Sequence, residues 1–416
     1  SLDNNSQLTV KADSSSSGAA GDINIETGSL TVENGAQISA QTEASGEGGD
    51  INISGPEKLN ITGDGQISAS TSGAGKGGNI DISAPETTLN ITGDGQISAS
   101  TSSTSSTGEG GNIQLNATEK LNITGDGQIS ARTSGAGNAG NISIETPNLT
   151  TDQIKITGST EAEGTGGAIT AKTDTLSLDN NSQLTVEANS SGDAGDINIE
   201  TGSLTVENGA QISAQTEASG EGGDINISGP EKLNITGDGQ ISASTSGAGK
   251  GGNIDISAPE TTLNITGDGQ ISASTSSTSS TGEGGNIQLN ATEKLNITGD
   301  GQISARTSGA GNAGNISIET PNLTTDQIKI TGSTEAEGTG GAITAKTDTL
   351  SLDNNSQLTV EANSSGDAGD INIETGSLTV AKGTEISAQT EGTGKGGDIN
   401  ISCLLYTSDA ADDQAS

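Results

Sequence analysis

The sequence predicts an all-β fold, a right-handed parallel β-helix (β-solenoid) with three short strands per coil. Three observations carry this: a short internal repeat averaging about 29 residues, period-2 alternation of aliphatic residues inside it, and turn chemistry between the alternating runs. Units open on a Gly-Gly or Ala-Gly pair at Ala20, Gly48, Gly77, Gly110, Ala139, Gly166, Ala194, Gly222, Gly251, Gly284, Ala313, Gly340, Ala368 and Gly396, giving about 14 coils, the last truncated. A longer period of about 174 residues is superimposed, because SLDNNSQLTV recurs at Ser1, Ser177 and Ser351. The long repeats are residues 1–176, 177–350 and 351–402, and residues 1–402 are expected to form a single continuous solenoid.

The unit GGDINISGPEKLNITGDGQISASTSGAGK, Gly48 to Lys76, shows each element in order. Ile51 and Ile53 define a first strand, Leu59 and Ile61 a second, Ile67 and Ala69 a third, with Asn52, Asn60 and Ser68 pointing outward. The Ala20 unit repeats this with Ile23 and Ile25, Leu30 and Val32, Ile38 and Ala40. Gly55-Pro56 closes the first strand, Gly63-Asp64-Gly65 the second, and a Gly/Ser/Thr-rich segment the third. One such coil cannot bury its inward side chains, whereas a like coil stacked about 4.8 Å away covers them and pairs its strands in parallel. Helix is excluded by the period and by glycine every few residues.

The third residue of nearly every unit is acidic or an amide: Asp22, Asp50, Asn79, Asn112, Asn141, Asp196, Asp224, Asn253, Asn286, Asn315, Asp370 and Asp398. In-register stacking predicts a structural corner ladder from these residues, with Asn amides bonding to the copies above and below. Ala168 and Ala342 interrupt the column. They follow the coils at Ala139 and Ala313, where NLTTDQIKITG shortens the unit. Those coils are expected to be the most irregular, as a kink or a drifted repeat, with drift favoured.

Composition bounds function. Ile, Leu and Val make up about 17% of residues 222–395, below the roughly 20% at which high net charge signals disorder, so disorder is the alternative the repeat must defeat. With 54 acidic and 15 basic residues the net charge is −39, which disfavours nucleic acid and anionic membranes and favours diffuse association of calcium or other cations. No apolar run approaches the roughly 20 residues of a membrane helix, so no membrane insertion is expected. The chain opens mid-pattern at Ser1 and reads as an internal fragment.

The iterated GGNI-x-I, L-x-I-T-G-D-G-Q-I-S-A and G-x-G-x-x-G-N-I motifs resemble the repeat region of filamentous-haemagglutinin-like exoproteins of two-partner secretion systems, cyanobacterial ones above all, over residues 1–402. The resemblance implies an extracellular or cell-surface adhesin or stalk of a Gram-negative bacterium, an outer-membrane secretion barrel as export partner, and a surface receptor or matrix glycan as ligand. CLLYTSDAADDQAS, Cys403 to Ser416, departs from the pattern, holds the only Cys and the only Tyr, and resembles adapter or vector read-through rather than native sequence.

Catalysis is not expected. A polysaccharide-processing enzyme is the main alternative of that class, but the chain has no His, no aromatic before Tyr406 and only Arg132 and Arg306 as arginines. Acid pairs such as Glu161 and Glu163, with Asp152 nearby, read as solvated surface charge. No cofactor or discrete metal site is assigned. The T-G-D-G turns at Asp64, Asp94, Asp126, Asp238, Asp268 and Asp300 read as inter-strand turns, because they lack the nonapeptide pattern of calcium-binding β-rolls. An ice- or mineral-binding solenoid is the other alternative; outward Thr62, Thr92 and Thr124 exist, but regular T-x-T rows are absent. Asn60-Ile61-Thr62 and its copies match the N-glycosylation pattern by rhythm. The Ser/Thr-rich segments Ser100–Thr107 and Ser274–Thr281 lengthen their coils and are expected to protrude as loops.

Overall fold

The computed structural model describes residues 1–403 except 16–17, 44, 85–87, 105–106, 259–260 and 277–280. The chain is a parallel β-solenoid, with no helix among the described residues. Third strands, from Gln7–Ala12 to Glu385–Thr390, form one continuous 14-stranded sheet, so the solenoid has fourteen turns. Each strand pairs with its copy one turn later, at separations from 27 residues (Gln128 with Lys155) to 34 (Leu263 with Ile297). Unit length varies, but third-strand register does not: Ile or Leu pairs with Ile or Leu, and the central Ser or Thr with Ser or Thr, across every junction, whereas among second strands Thr261–Ile265 meets Lys294–Thr298 two residues out of step, Leu263 opposite Ile297. The segment 404–416, nearly all of the predicted non-native tail, lies outside the described residues, whereas Cys403 ends the last strand, Ile399–Cys403, paired with Thr375.

The expected inward pairs form the core. Ile51, Ile53, Leu59, Ile61, Ile67 and Ala69 are all buried, and the corresponding residues of later coils continue the same columns through one contiguous cluster. The third strand carries one inward position more than the alternation first suggests, because Thr42, Thr71, Thr101, Thr133, Thr160, Thr216, Thr245, Thr275, Thr307 and Thr334 are buried behind its Ala or Gly. A buried hydroxyl needs a partner. Thr42 Oγ1 donates to Glu47 O at 2.7 Å and Thr101 Oγ1 to Glu109 O at 2.7 Å. The same bond thus closes a five-residue and an eight-residue connection, so the Ser/Thr-rich insertion after Ser100 leaves the strands in register.

The three-strand coil needs one refinement. In four coils the first two strands fuse, as Ile169–Asp179, Ile197–Glu207, Ile343–Asp353 and Ile371–Val380. Their corners are Thr-Asp or Thr-Gly, which pair across coils: Thr173 lies opposite Thr201, Oγ1 to Oγ1 at 3.0 Å. Elsewhere the strand breaks, at Gly55-Pro56 and Gly229-Pro230, where the glycines have φ +77° and +86°, or at Pro147 and Pro321, whose ring nitrogens cannot donate to the ladder.

The coils at Ala139 and Ala313 correct the expectation of irregularity. The Ala139 coil contains strands Ile142–Glu145, Asn148–Asp152 and Lys155–Thr160, as long as or within one residue of those in the preceding coil, and each pairs in register on both sides. Two changes absorb the shorter sequence. Gln153 adopts φ +62° to tighten the second corner, and Ile154 turns inward there, buried, beside Thr151, which stands where other coils have Ile, Leu or Val. Gln327, Ile328 and Thr325 repeat this in the Ala313 coil.

Candidate functional site

The acidic and amide column lies at the corner that opens each coil, and its chemistry is directional. The Oδ1 atoms of Asp22, Asp50, Asn79, Asn112 and Asn141 accept the backbone N–H of Asp50, Asn79, Asn112, Asn141 and Ala168 at 2.7–3.0 Å. Asp196, Asp224, Asn253, Asn286 and Asn315 do the same toward Asp224, Asn253, Asn286, Asn315 and Ala342, and Asp370 toward Asp398. Each side chain caps the amide of the next coil, so the position requires an acceptor and takes Asp or Asn alike. Amide-to-side-chain bonds of the kind anticipated occur beside it, from Asn79 to Asp50, Asn253 to Asp224 and Asn286 to Asn253. Ala168 and Ala342 receive the bond and pass none on.

A second ladder of the same kind, not anticipated, stands three residues earlier. Asn138, Asp193, Asn312 and Asp367 accept the N–H of Thr165, Glu221, Thr339 and Lys395 at 2.7–2.9 Å. The signal was the paired spacing in N-A-G-N and D-A-G-D.

The acids weighed for chemistry are dispersed. Glu161 pairs with Arg132 of the preceding coil and Glu335 with Arg306, all four partly solvent-exposed. Asp152 accepts Asn180 Nδ2 at 3.0 Å. The T-G-D-G segments are tight turns: Gly63 has φ +55°, Gly65 N–H donates to Thr62 O at 3.2 Å, and Asp64 is exposed. No group of three or more His, Cys, Asp or Glu among the described residues is placed to hold a metal ion.

An open trough lies at the first corner and occurs twice. It arises from corner length. From the second inward residue of the first strand to the first of the second, the chain advances five residues in the Ala20 coil (Ile25 to Leu30), then six (Ile53 to Leu59), seven (Ile82 to Leu89) and six (Leu115 to Leu121). It returns to five in the coils at Ala139, Gly166 and Ala194 (Ile144 to Leu149, Ala171 to Leu176, Ile199 to Leu204), and the cycle then repeats. Beside the longer corners, the short ones leave a trough of about 540 Å³ whose lining includes Ala84, Ala117, Thr146, Pro147, Lys172 and Asp174. Its copy, about 460 Å³, includes Ala291, Thr320, Pro321, Lys346 and Asp348. Lys172 pairs with Glu200 at 3.6 Å and Lys346 with Glu319 at 3.2 Å. No protein family, curated protein or solved structure matches the chain.

Proposed function

We propose that the chain is a structural and adhesive rod of a secreted cell-surface exoprotein, a stiff spacer that presents repeated surfaces at fixed intervals. The observation that carries this reading is a third-strand sheet continuous through fourteen turns combined with a surface that recurs every six coils. A catalytic site is a unique constellation, whereas here both troughs and both Arg–Glu pairs occur in duplicate. The motif resemblance to filamentous-haemagglutinin-like exoproteins supports an extracellular setting, export through an outer-membrane barrel and a receptor or matrix glycan as target.

The spacer reading is tested by spin labels at Ser29, which starts a second strand, and at Ser377, its equivalent within the fused strand Ile371–Val380; both are exposed and they stand twelve coils apart. At about 4.8 Å per coil the axial separation is about 58 Å, with a narrow distribution. Deleting residues 177–350, one long repeat, should shorten it by about 29 Å and keep it narrow. A broad distribution in either chain would refute a stiff rod.

An ice- or mineral-binding surface is the second reading, and one observation favours it. The central outward position of the third strand is Ser or Thr in every turn, from Thr9, Ser39 and Ser68 to Thr331, Thr359 and Ser387. Half of this column is covered by its neighbours, Ser39, Ser130, Thr157, Thr185, Ser213, Thr331 and Thr359 being buried. It is a single file flanked by Gln, Lys, Arg and Glu, so it ranks second; thermal hysteresis of freezing in the purified chain would promote it.

A further inference from the structure

We infer that the junction between the coils at Gly251 and Gly284, and its copy between those at Gly77 and Gly110, is a register switch: the second strand of the later coil seats either in step with its neighbour or two residues out of step. Residues 20–206 recur unchanged as residues 194–380, so the two junctions share one sequence and so do the coils that flank them. They are nevertheless paired differently. In the first copy Thr88–Thr92 meets Lys120–Thr124 with Leu89 opposite Leu121 and Asn90 opposite Asn122. In the second, Leu263 stands opposite Ile297 and Asn264 opposite Thr298, a slide of two residues, about 7 Å. One sequence in two pairings means that neither composition nor local context dictates the register.

The slide is confined to the second strand. First and third strands stay in step in both copies, Ile80 with Ile113 and Gln96 with Gln128, Ile254 with Ile287 and Gln270 with Gln302. A slip of one residue would turn every side chain to the wrong face, whereas a slip of two keeps the inward set inward, and Leu263, Leu295 and Ile297 remain buried. Each state has its own contacts. Out of step, Thr298 Oγ1 donates to Asn264 Oδ1 at 3.0 Å, and Gly267 N–H donates to the Asp300 carboxylate at 2.7 Å. In step, Gly125 stacks on the backbone of Gly93, while Gly299 lies over Ile265, two residues short of the equivalent Gly267. The acid of this T-G-D-G turn thus clamps the slipped state. The two states also differ at the trough: Ser83 and Ala84 line the one beside the in-step junction, and neither Ser257 nor Ala258 lines its copy.

The test is intramolecular disulfide trapping in the full chain carrying Cys403→Ser, oxidised in a reversible glutathione buffer, with one cysteine pair per variant. Strand partners lie about 4.8 Å apart at Cα, within disulfide range, and residues displaced by two lie about 7–8 Å apart, beyond it, so each pair reports one register. Thr262→Cys should close with Asn296→Cys, the slipped pair, and in a second variant with Lys294→Cys, the in-step pair; Thr88→Cys should likewise close with Lys120→Cys and with Asn122→Cys. The preceding junction is in step in both copies, so Lys58→Cys should close with Thr88→Cys and stay reduced with Asn90→Cys. Asp300 is exposed, and adding Asp300→Ala should raise the yield of the in-step disulfide relative to the slipped one at the second junction at least about fivefold. Circular dichroism checks that each variant keeps its strand signal. Closure of only one pair at each junction would show fixed registers, closure of Lys58→Cys with Asn90→Cys would show that sliding is not particular to these junctions, and a ratio indifferent to Asp300→Ala would remove the clamp; each result overturns the inference.

Discussion

The Gly110 and Ala139 coils are adjacent, pair strand for strand, and fill their interiors differently. The Gly110 coil encloses Leu121, Ile123, Ile129 and Ala131; the Ala139 coil encloses Leu149, Thr151, Ile154, Ile156 and Gly158, and yet continues the same strands in register. Core content varies where the backbone path does not. The invariant part is the corner, where the glycines that open successive coils stack backbone against backbone: a Cβ on Gly140 would collide with Gly111 O, one on Gly167 with Gly140 O, and one on Gly195 with Gly167 and Gly166. The solenoid is therefore specified by what its corners exclude and cap, and its interior tolerates exchange within a fixed outline.

The sharpest way to break this comparison is to add one methyl at a corner. Gly140→Ala or Gly167→Ala forces backbone displacement in two coils and should destabilise the chain by about 3 kcal/mol or more in denaturant unfolding. Gly28→Ala, where an added Cβ meets nothing within 4 Å, should change stability by less than about 1 kcal/mol. Equal losses at both sites would remove the distinction between closed and open glycines.

Interior exchange should cost less when compensated. Ile123→Thr copies the Ala139 arrangement into the Gly110 coil without the inward Ile154, and should cost about 2 kcal/mol. Thr325→Val, which replaces a buried hydroxyl lacking a partner, should stabilise by about 1 kcal/mol, read as a raised midpoint in the same assay. A destabilised Thr325→Val would show that the hydroxyl does have a partner in solution.

The corner caps give the smallest effect. Asn141→Ala removes the acceptor for Ala168 N–H and should cost about 1 kcal/mol, and Ala168→Asn, which supplies an acceptor toward Asp196 N–H, should return a similar or smaller gain. Identical stabilities for wild type, Asn141→Ala and Ala168→Asn would reduce the ladder to a geometric coincidence.

Much of this architecture was legible in the residues, because period-2 aliphatic pairs such as Ile51 and Ile53 and recurrent Gly-Gly or Ala-Gly openings are direct signatures of a stacked strand. What escaped the reading was polar and buried. Thr71 continues the inward alternation after Ile67 and Ala69, but a hydroxyl at the end of a Ser/Thr-rich run looks like turn, and only its bonding to the loop backbone marks it as interior. The corner column was read as amide stacking, since side-chain ladders are visible in sequence while a side chain capping the next coil's amide is not. Irregularity was expected at Ala139 because the sequence loses residues there; a positive φ at Gln153 and an inward Ile154 restore the path, and neither follows from periodicity. The troughs were written in the count from Ile53 to Leu59 against Ile144 to Leu149, but one residue in a corner acquires meaning only once neighbouring coils are known to stack.

Register of the third-strand sheet through every turn is the central claim, and cysteine cross-linking in a Cys403→Ser background tests it most directly. Ser68 and Ser98 are strand partners in adjacent turns, so Ser68→Cys with Ser98→Cys places two thiols about 4.8 Å apart at Cα, within the range a disulfide spans. That pair should oxidise readily to an intramolecular disulfide, while Ser68→Cys with Ser242→Cys, equivalent sites one long repeat and about 29 Å apart, should stay reduced within the chain. Cross-linking of the distant pair, or failure of the adjacent one, would contradict the stacked solenoid.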